Sequence, residues 1–110
     1  MSDIKWKVLS LKSSDKKKNY FHVILNNGSK YNFHENSIIR YNIKQNQSID
    51  DKTINEALNN TEKEIIKNKI IILLSYRLRS KKELKDAFLS KGYKIENILN
   101  VIEELEQREY

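Results

Sequence analysis

The chain has 110 residues, 21 Lys+Arg against 15 Asp+Glu, no Cys, no Pro and two Gly, Gly28 and Gly92. That length is one domain at most, and the scarcity of Gly and Pro disfavours a long β-sandwich or a glycine-rich nucleotide fold, which need many special turns. Without Cys there are no disulfides, thiolate zinc sites or cysteine nucleophiles. The longest apolar run, Ile70 to Leu74, is far short of the roughly 18 to 20 residues of a membrane span. The N-terminal MSDIKWKVLS lacks the apolar stretch of a signal peptide, so a cytoplasmic protein is expected. Charge divides the chain: residues 1–49 hold nine basic and three acidic groups, and residues 50–110 hold twelve of each. The expected organisation is a β-rich extension, 1–49, and a helical part, 50–110.

Residues 4 to 34 read as strands, because Ile4, Trp6 and Val8 alternate with lysines and Phe21, Val23 and Leu25 alternate with His22 and Ile24. The polar run Lys12 to Lys18 between them reads as a hairpin loop. A two-residue loop at Asn27-Gly28 would put the apolar sets of its two strands on opposite faces. A three-residue loop, Asn26-Asn27-Gly28, pairs Val23 with Tyr31 and Phe21 with Phe33 and gives one apolar face. A three-stranded antiparallel meander needs a helix against that face. His34 to Tyr41 predicts a short helix, and Asp50 predicts the cap of a helix carrying Ile54, Ala57 and Leu58, interrupted or bent at Asn59-Asn60. Thr61 and Glu64, then Ser80 and Glu83, have capping-box spacing. They predict a three-helix unit at 61–76, 81–91 and 95–108, within 61–110. Gly92 stops the second helix, and Ile95, Ile98, Leu99, Ile102 and Leu105 form the apolar stripe of the third.

Enzyme chemistry has little support. His22 and His34 are the only histidines, no metal-binding pair or phosphate-cradling glycine motif occurs, and both imidazoles are expected on a polar sheet face. No catalytic residue, cofactor or metal is expected. The segment from Arg77 to Lys85, RLRSKKELK, has Glu83 as its one acidic group among Arg77, Arg79, Lys81, Lys82 and Lys85. It reads either as an anion-facing corner at a helix start or as arginines capping the preceding helix beside solvated lysines. The helix from Ile95 carries an acidic stripe. In the N-terminal part, Lys5, Lys7, Lys12, Lys16, Lys17, Lys18 and Lys30 lie near Trp6, Tyr20 and Tyr31. They read as a platform for single-stranded nucleic acid, or as edge-protecting lysines over an aromatic inner face. Alternation sets Trp6 opposite the lysines beside it.

Residues 73 to 110 resemble the RecX family of recombination regulators. Its first three-helix repeat has an R-x-R-S or R-x-R-T turn, E-L, a glycine, and an I-x-x-V-I-x-x-L helix. Here these are Arg77, Arg79, Ser80, Glu83, Leu84, Gly92, Ile98, Val101, Ile102 and Leu105, with Phe88 at the apolar position between. The segment NYFHVILNNGSKYNFHENSIIRYNI is similar, more loosely, to the strand-rich extension of Gram-positive members. The resemblance implies an α+β protein, a β-meander and short helix followed by a RecX-type three-helix repeat. It also implies a non-enzymatic regulator that binds the RecA recombinase filament and inhibits its ATPase, growth and strand exchange. Arg77, Arg79, Lys81, Lys82 and Lys85 are the expected contact to RecA or DNA phosphate, with Leu84, Phe88, Ile98, Ile102 and Leu105 as the repeat core. Complete members continue into further repeats, so the chain reads as a fragment or a shortened member. The alternatives are a small basic nucleic-acid-binding domain with a helix-turn-helix-like pair, and a homodimer through the uncovered repeat face.

Overall fold

The structure, a computed structural model, describes residues 5–108. The alternating segment forms β1 (Lys5–Ser13), followed by β2 (Tyr20–Leu25) and β3 (Lys30–His34); Ile4, expected at the start of the first strand, lies outside the described residues. Next come α1 (Glu35–Arg40), β4 (Ser48–Asp50), α2 (Asp51–Tyr76), α3 (Lys81–Ser90) and α4 (Ile95–Gln107). Two compact units divide the chain, the first through Thr61 and the second from Glu62. Helix α2 contributes its opening turns to the first unit and the rest to the second.

In the first unit, Phe21 pairs with Phe33 and Val23 with Tyr31, the register that the single apolar face requires. The three-residue loop closes it: the Leu25 N–H donates to Ser29 at 2.9 Å, and Gly28 adopts a φ of 87°. Expected as a three-stranded meander, the sheet has four antiparallel strands in the order β3-β2-β1-β4. The fourth, Ser48–Asp50, pairs with Lys5 to Lys7 and covers the first third of the β1 edge. Three residues, one of them apolar, are too few for alternation to reveal.

Strand β1 also breaks its own period. Val8 pairs with Leu25 and Ser10 with Ile24, so Leu9 is an extra residue, half exposed in a bulge. That insertion brings Leu11, three positions beyond Val8, onto the same face, opposite Val23. Val8, Val23, Leu25 and Phe33 then bury against Ile43, Ile49, Ile54 and Ala57. The Asp50 carboxylate accepts the Thr53 N–H at 2.8 Å and so starts α2 as expected.

Two local expectations are corrected here. Thr61 and Glu64 do not open a helix, because α2 runs unbroken from Asp51 to Tyr76 through Asn59-Asn60. Thr61 is buried instead, accepting the His34 N–H at 3.0 Å and sharing a 2.9 Å hydrogen bond with the Ser37 hydroxyl. His34 is likewise buried rather than on a polar face. Its Nδ1 accepts the Asn36 N–H at 3.0 Å, capping α1, and its ring meets Tyr20 edge-on at 5.2 Å.

The second unit packs the end of α2 with α3 and α4. Its core holds Ile66, Ile70, Leu84, Phe88, Ile98, Val101, Ile102 and Leu105, which includes every repeat-core residue expected from sequence. The apolar stripe of α4 is narrower than its sequence suggests: Ile95 is 38% exposed and Leu99 49%. Gly92, at a φ of 90°, follows the Lys91 cap and ends α3 where expected.

Candidate functional site

The break between α2 and α3 is built by charge and capping together. Helix α2 ends at Tyr76, and the Ser80 hydroxyl accepts the Glu83 N–H at 3.1 Å while Glu83 accepts the Ser80 N–H at 3.3 Å, a reciprocal capping box. Arg77 closes the turn from its other side. Its guanidinium donates to Glu83 Oε2 at 3.0 Å and to the Leu78 carbonyl at 3.2 Å. That bond, with the Ser80 N–H behind it, holds the Glu83 carboxyl below its ordinary range.

The five basic residues singled out from sequence therefore lie in one short stretch but in different electrostatic states. Arg77 is committed to Glu83, and Lys81 pairs with Glu106 of α4 at 2.6 Å. Lys82 and Lys85 enter no ion pair among the described residues, and they border a shallow groove with Leu99, Ile102, Glu103 and Glu106. Arg79 lines a second depression of about 260 Å³, whose walls include Ile70, Leu74, Leu84 and Leu105. Its Nε is buried there without a hydrogen-bond partner. Leu78 at the rim is 86% exposed and Tyr76 is 79% exposed. The turn thus offers free cationic groups beside apolar surface, a combination suited to a protein partner.

The acidic stripe of α4 is partly neutralised within the unit. Glu104 pairs with Lys67 at 3.6 Å and with Arg108 at 3.2 Å. Glu96 and Glu103 remain exposed. An exposed acidic face on α4 repels phosphate, which counts against α4 as a recognition helix in a DNA groove.

One structural residue escaped the sequence reading. Lys94 supplies no side-chain cap to α4. The Glu62 carboxylate does so from α2, accepting the Lys94 N–H at 3.3 Å and the Asn97 side-chain amide. Its negative charge sits favourably at a helix N-terminus. A contact 32 residues away in sequence leaves no local signature.

Among the described residues no cluster of His, Asp or Glu is arranged to hold a metal ion, and no helix is long and apolar enough to cross a membrane. Compared with known proteins, residues 67–105 match the family described as RecX, first three-helix domain. No curated protein matches the chain. A crystal structure of regulatory protein RecX has the same fold, with a TM-score of 0.72 at 14% identity over 94% of this chain. The match takes in 50% of that protein, so this chain spans about half its length.

Proposed function

We propose that the chain, whose residues 67–105 match the first three-helix domain of RecX, is a RecX-family regulator that binds the RecA recombinase filament and restrains its ATP hydrolysis, growth and strand exchange. The observation that carries this reading is the match over residues 67–105, which contains the basic turn, its capping box and the whole core of α3 and α4. The mechanism is surface complementarity rather than catalysis. Lys82, Lys85 and Arg79 meet acidic groups of the partner, while Arg77 and Lys81 brace the turn through Glu83 and Glu106. Acting on RecA assigns the chain to DNA repair and recombination in the cytoplasm.

The test is titration of the chain into preformed RecA filaments on single-stranded DNA, following ATP hydrolysis and co-sedimentation. Hydrolysis is expected to fall as the chain is added. Charge reversal of Lys82 and Lys85 together weakens the effect about tenfold or more while the helical circular dichroism is kept, since neither residue makes an ion pair among the described residues. Unchanged hydrolysis with no co-sedimentation refutes the reading.

A further inference from the structure

All four ion pairs among the described residues, Lys67–Glu104, Arg77–Glu83, Lys81–Glu106 and Arg108–Glu104, lie in the second unit. The first unit holds ten basic and six acidic groups, and no ion pair occurs among its described residues. Three of its carboxylates stand at helix starts. Asp50 bonds to Thr53, Asp51 accepts the Trp6 indole N–H at 2.8 Å, and Glu35 opens α1. Of the sheet lysines, Lys5 acts on Asp50, whereas Lys12 and Lys30 enter no ion pair among the described residues.

Register gathers those groups on one face. Lys12 pairs with His22 and His22 with Asn32, so the three stand side by side across β1, β2 and β3, all exposed. The adjacent row is Ser10, Ile24 and Lys30. Neighbours within a row are about 5 Å apart. Val23, Leu25 and Phe33 point the other way, into the core.

The loop beyond these rows adds to the same charge. The Ser14 hydroxyl accepts the N–H groups of Lys16 and Lys17 at 3.3 and 3.2 Å, and the Ser14 N–H donates to the Tyr20 carbonyl at 2.8 Å. Asn19, at a φ of 70°, completes the turn. Lys16, Lys17 and Lys18 are exposed on a loop held at its base, with Asp15 as its one acidic group.

We propose that this outer sheet face, from the Lys12–His22–Asn32 row to the Ser14–Asn19 loop, is a sequence-independent binding surface for the phosphate backbone of single-stranded nucleic acid. Charge complementarity selects a polyanion. The face presents neither a helix nor a free two-stranded ribbon to enter a duplex groove, so the strand lies across it. Base stacking contributes little. Trp6 and Tyr31 pack on the core side, Tyr31 stacked on Phe33, and Tyr20 is half-buried against His34 with the Lys17 ammonium 5.6 Å from its ring centre. Affinity then depends on salt and hardly on base identity.

The experiment is fluorescence anisotropy of a fluorescein-labelled oligothymidylate titrated with the full chain in the absence of RecA, so its outcome is independent of the RecA reading. With about five phosphates neutralised, the logarithm of affinity falls against the logarithm of salt with a slope of roughly −3 to −4. The combined Lys12→Glu, Lys17→Glu and Lys30→Glu variant binds at least tenfold more weakly at low salt, and the corresponding Lys→Gln variant has a slope shallower by about 2. Circular dichroism of both variants matches the parent. Absence of binding at low salt, equal affinity for polyglutamate, tighter binding to a duplex of the same length, or unaltered affinity in both variants overturns the proposal.

Discussion

The hydroxyl of Thr61 accepts the backbone N–H of His34 at 3.0 Å and meets the Ser37 hydroxyl at 2.9 Å, joining α2 to the end of β3 and the start of α1. The Asn60 side-chain amide extends the cluster, donating to Ser37 at 2.9 Å. Thr61→Val keeps the shape and removes the acceptor, leaving a buried N–H unpaired. A loss of about 1 to 3 kcal/mol in unfolding free energy is expected, with native helicity unchanged. A fall in helicity at native conditions would instead indicate that Thr61 starts a helix.

Acid should loosen the α2–α3 turn and the start of α2. Glu83 is held low by Arg77 first and by the Ser80 N–H second; Asp50 is held low by the Thr53 hydroxyl and N–H, with Lys5 adding to it. A carboxylate whose folded pKa is depressed contributes stability that is present above its unfolded value. That contribution is lost as pH falls through the lowered folded value. With ordinary values of 4.5 for Glu83 and 3.8 for Asp50, the loss sets in below those pH values. Thermal midpoints taken from neutral pH downward should decline there, and Glu83→Gln should flatten part of the decline.

Gly92 isolates a purely conformational cost. A Cβ at this position meets nothing within 4 Å, yet the φ of 90° is one that L side chains rarely adopt. Gly92→Ala is expected to cost about 1 to 2 kcal/mol in denaturant unfolding, and Gly92→Asn to cost less. Equal stability of all three would mean that α3 ends without the left-handed residue.

The two cores should respond separately to a cavity. Phe88 is fully buried in the second unit, while Trp6, the single tryptophan, packs in the first. Phe88→Ala is expected to cost about 3 to 5 kcal/mol in the second unit. The far-UV transition should move to lower temperature by more than the Trp6 fluorescence transition does. Coincident shifts of both signals would show the two cores unfolding as one.

The same spacing, S/T-x-x-E, gave two different outcomes, which explains why α3 was legible while α2 was divided in two. Ser80 follows a three-residue break and caps α3; Thr61 follows Ile54 and Ala57 at helical intervals and continues their helix. A capping signature identifies donors that a hydroxyl is able to satisfy. It does not say whether the preceding residues leave those donors empty. The hairpin register was readable because one residue of slip exchanges the two faces of a strand. Of the candidate site, the basic turn was visible as composition. The division of its cations into braced Arg77 and Lys81 and unpaired Lys82 and Lys85 was not, because Glu106 reaches Lys81 from a later helix. Glu62 was hidden for the same reason.

The single extra residue at Leu9 makes β1 a strand with two parities. Residues before the bulge and residues after it point inward on opposite counts, odd positions on one side of it and even on the other. Deleting Leu9 therefore shortens the strand without turning it. Ser10 would follow Val8 directly, with Leu11 still toward the core and Lys12 still toward water all the way to the hairpin, while a deletion of two at this point would exchange the two faces beyond it. Chain length is thus free to change by one residue at the bulge, whereas elsewhere along β1 only even steps keep the lysine face and the apolar face apart.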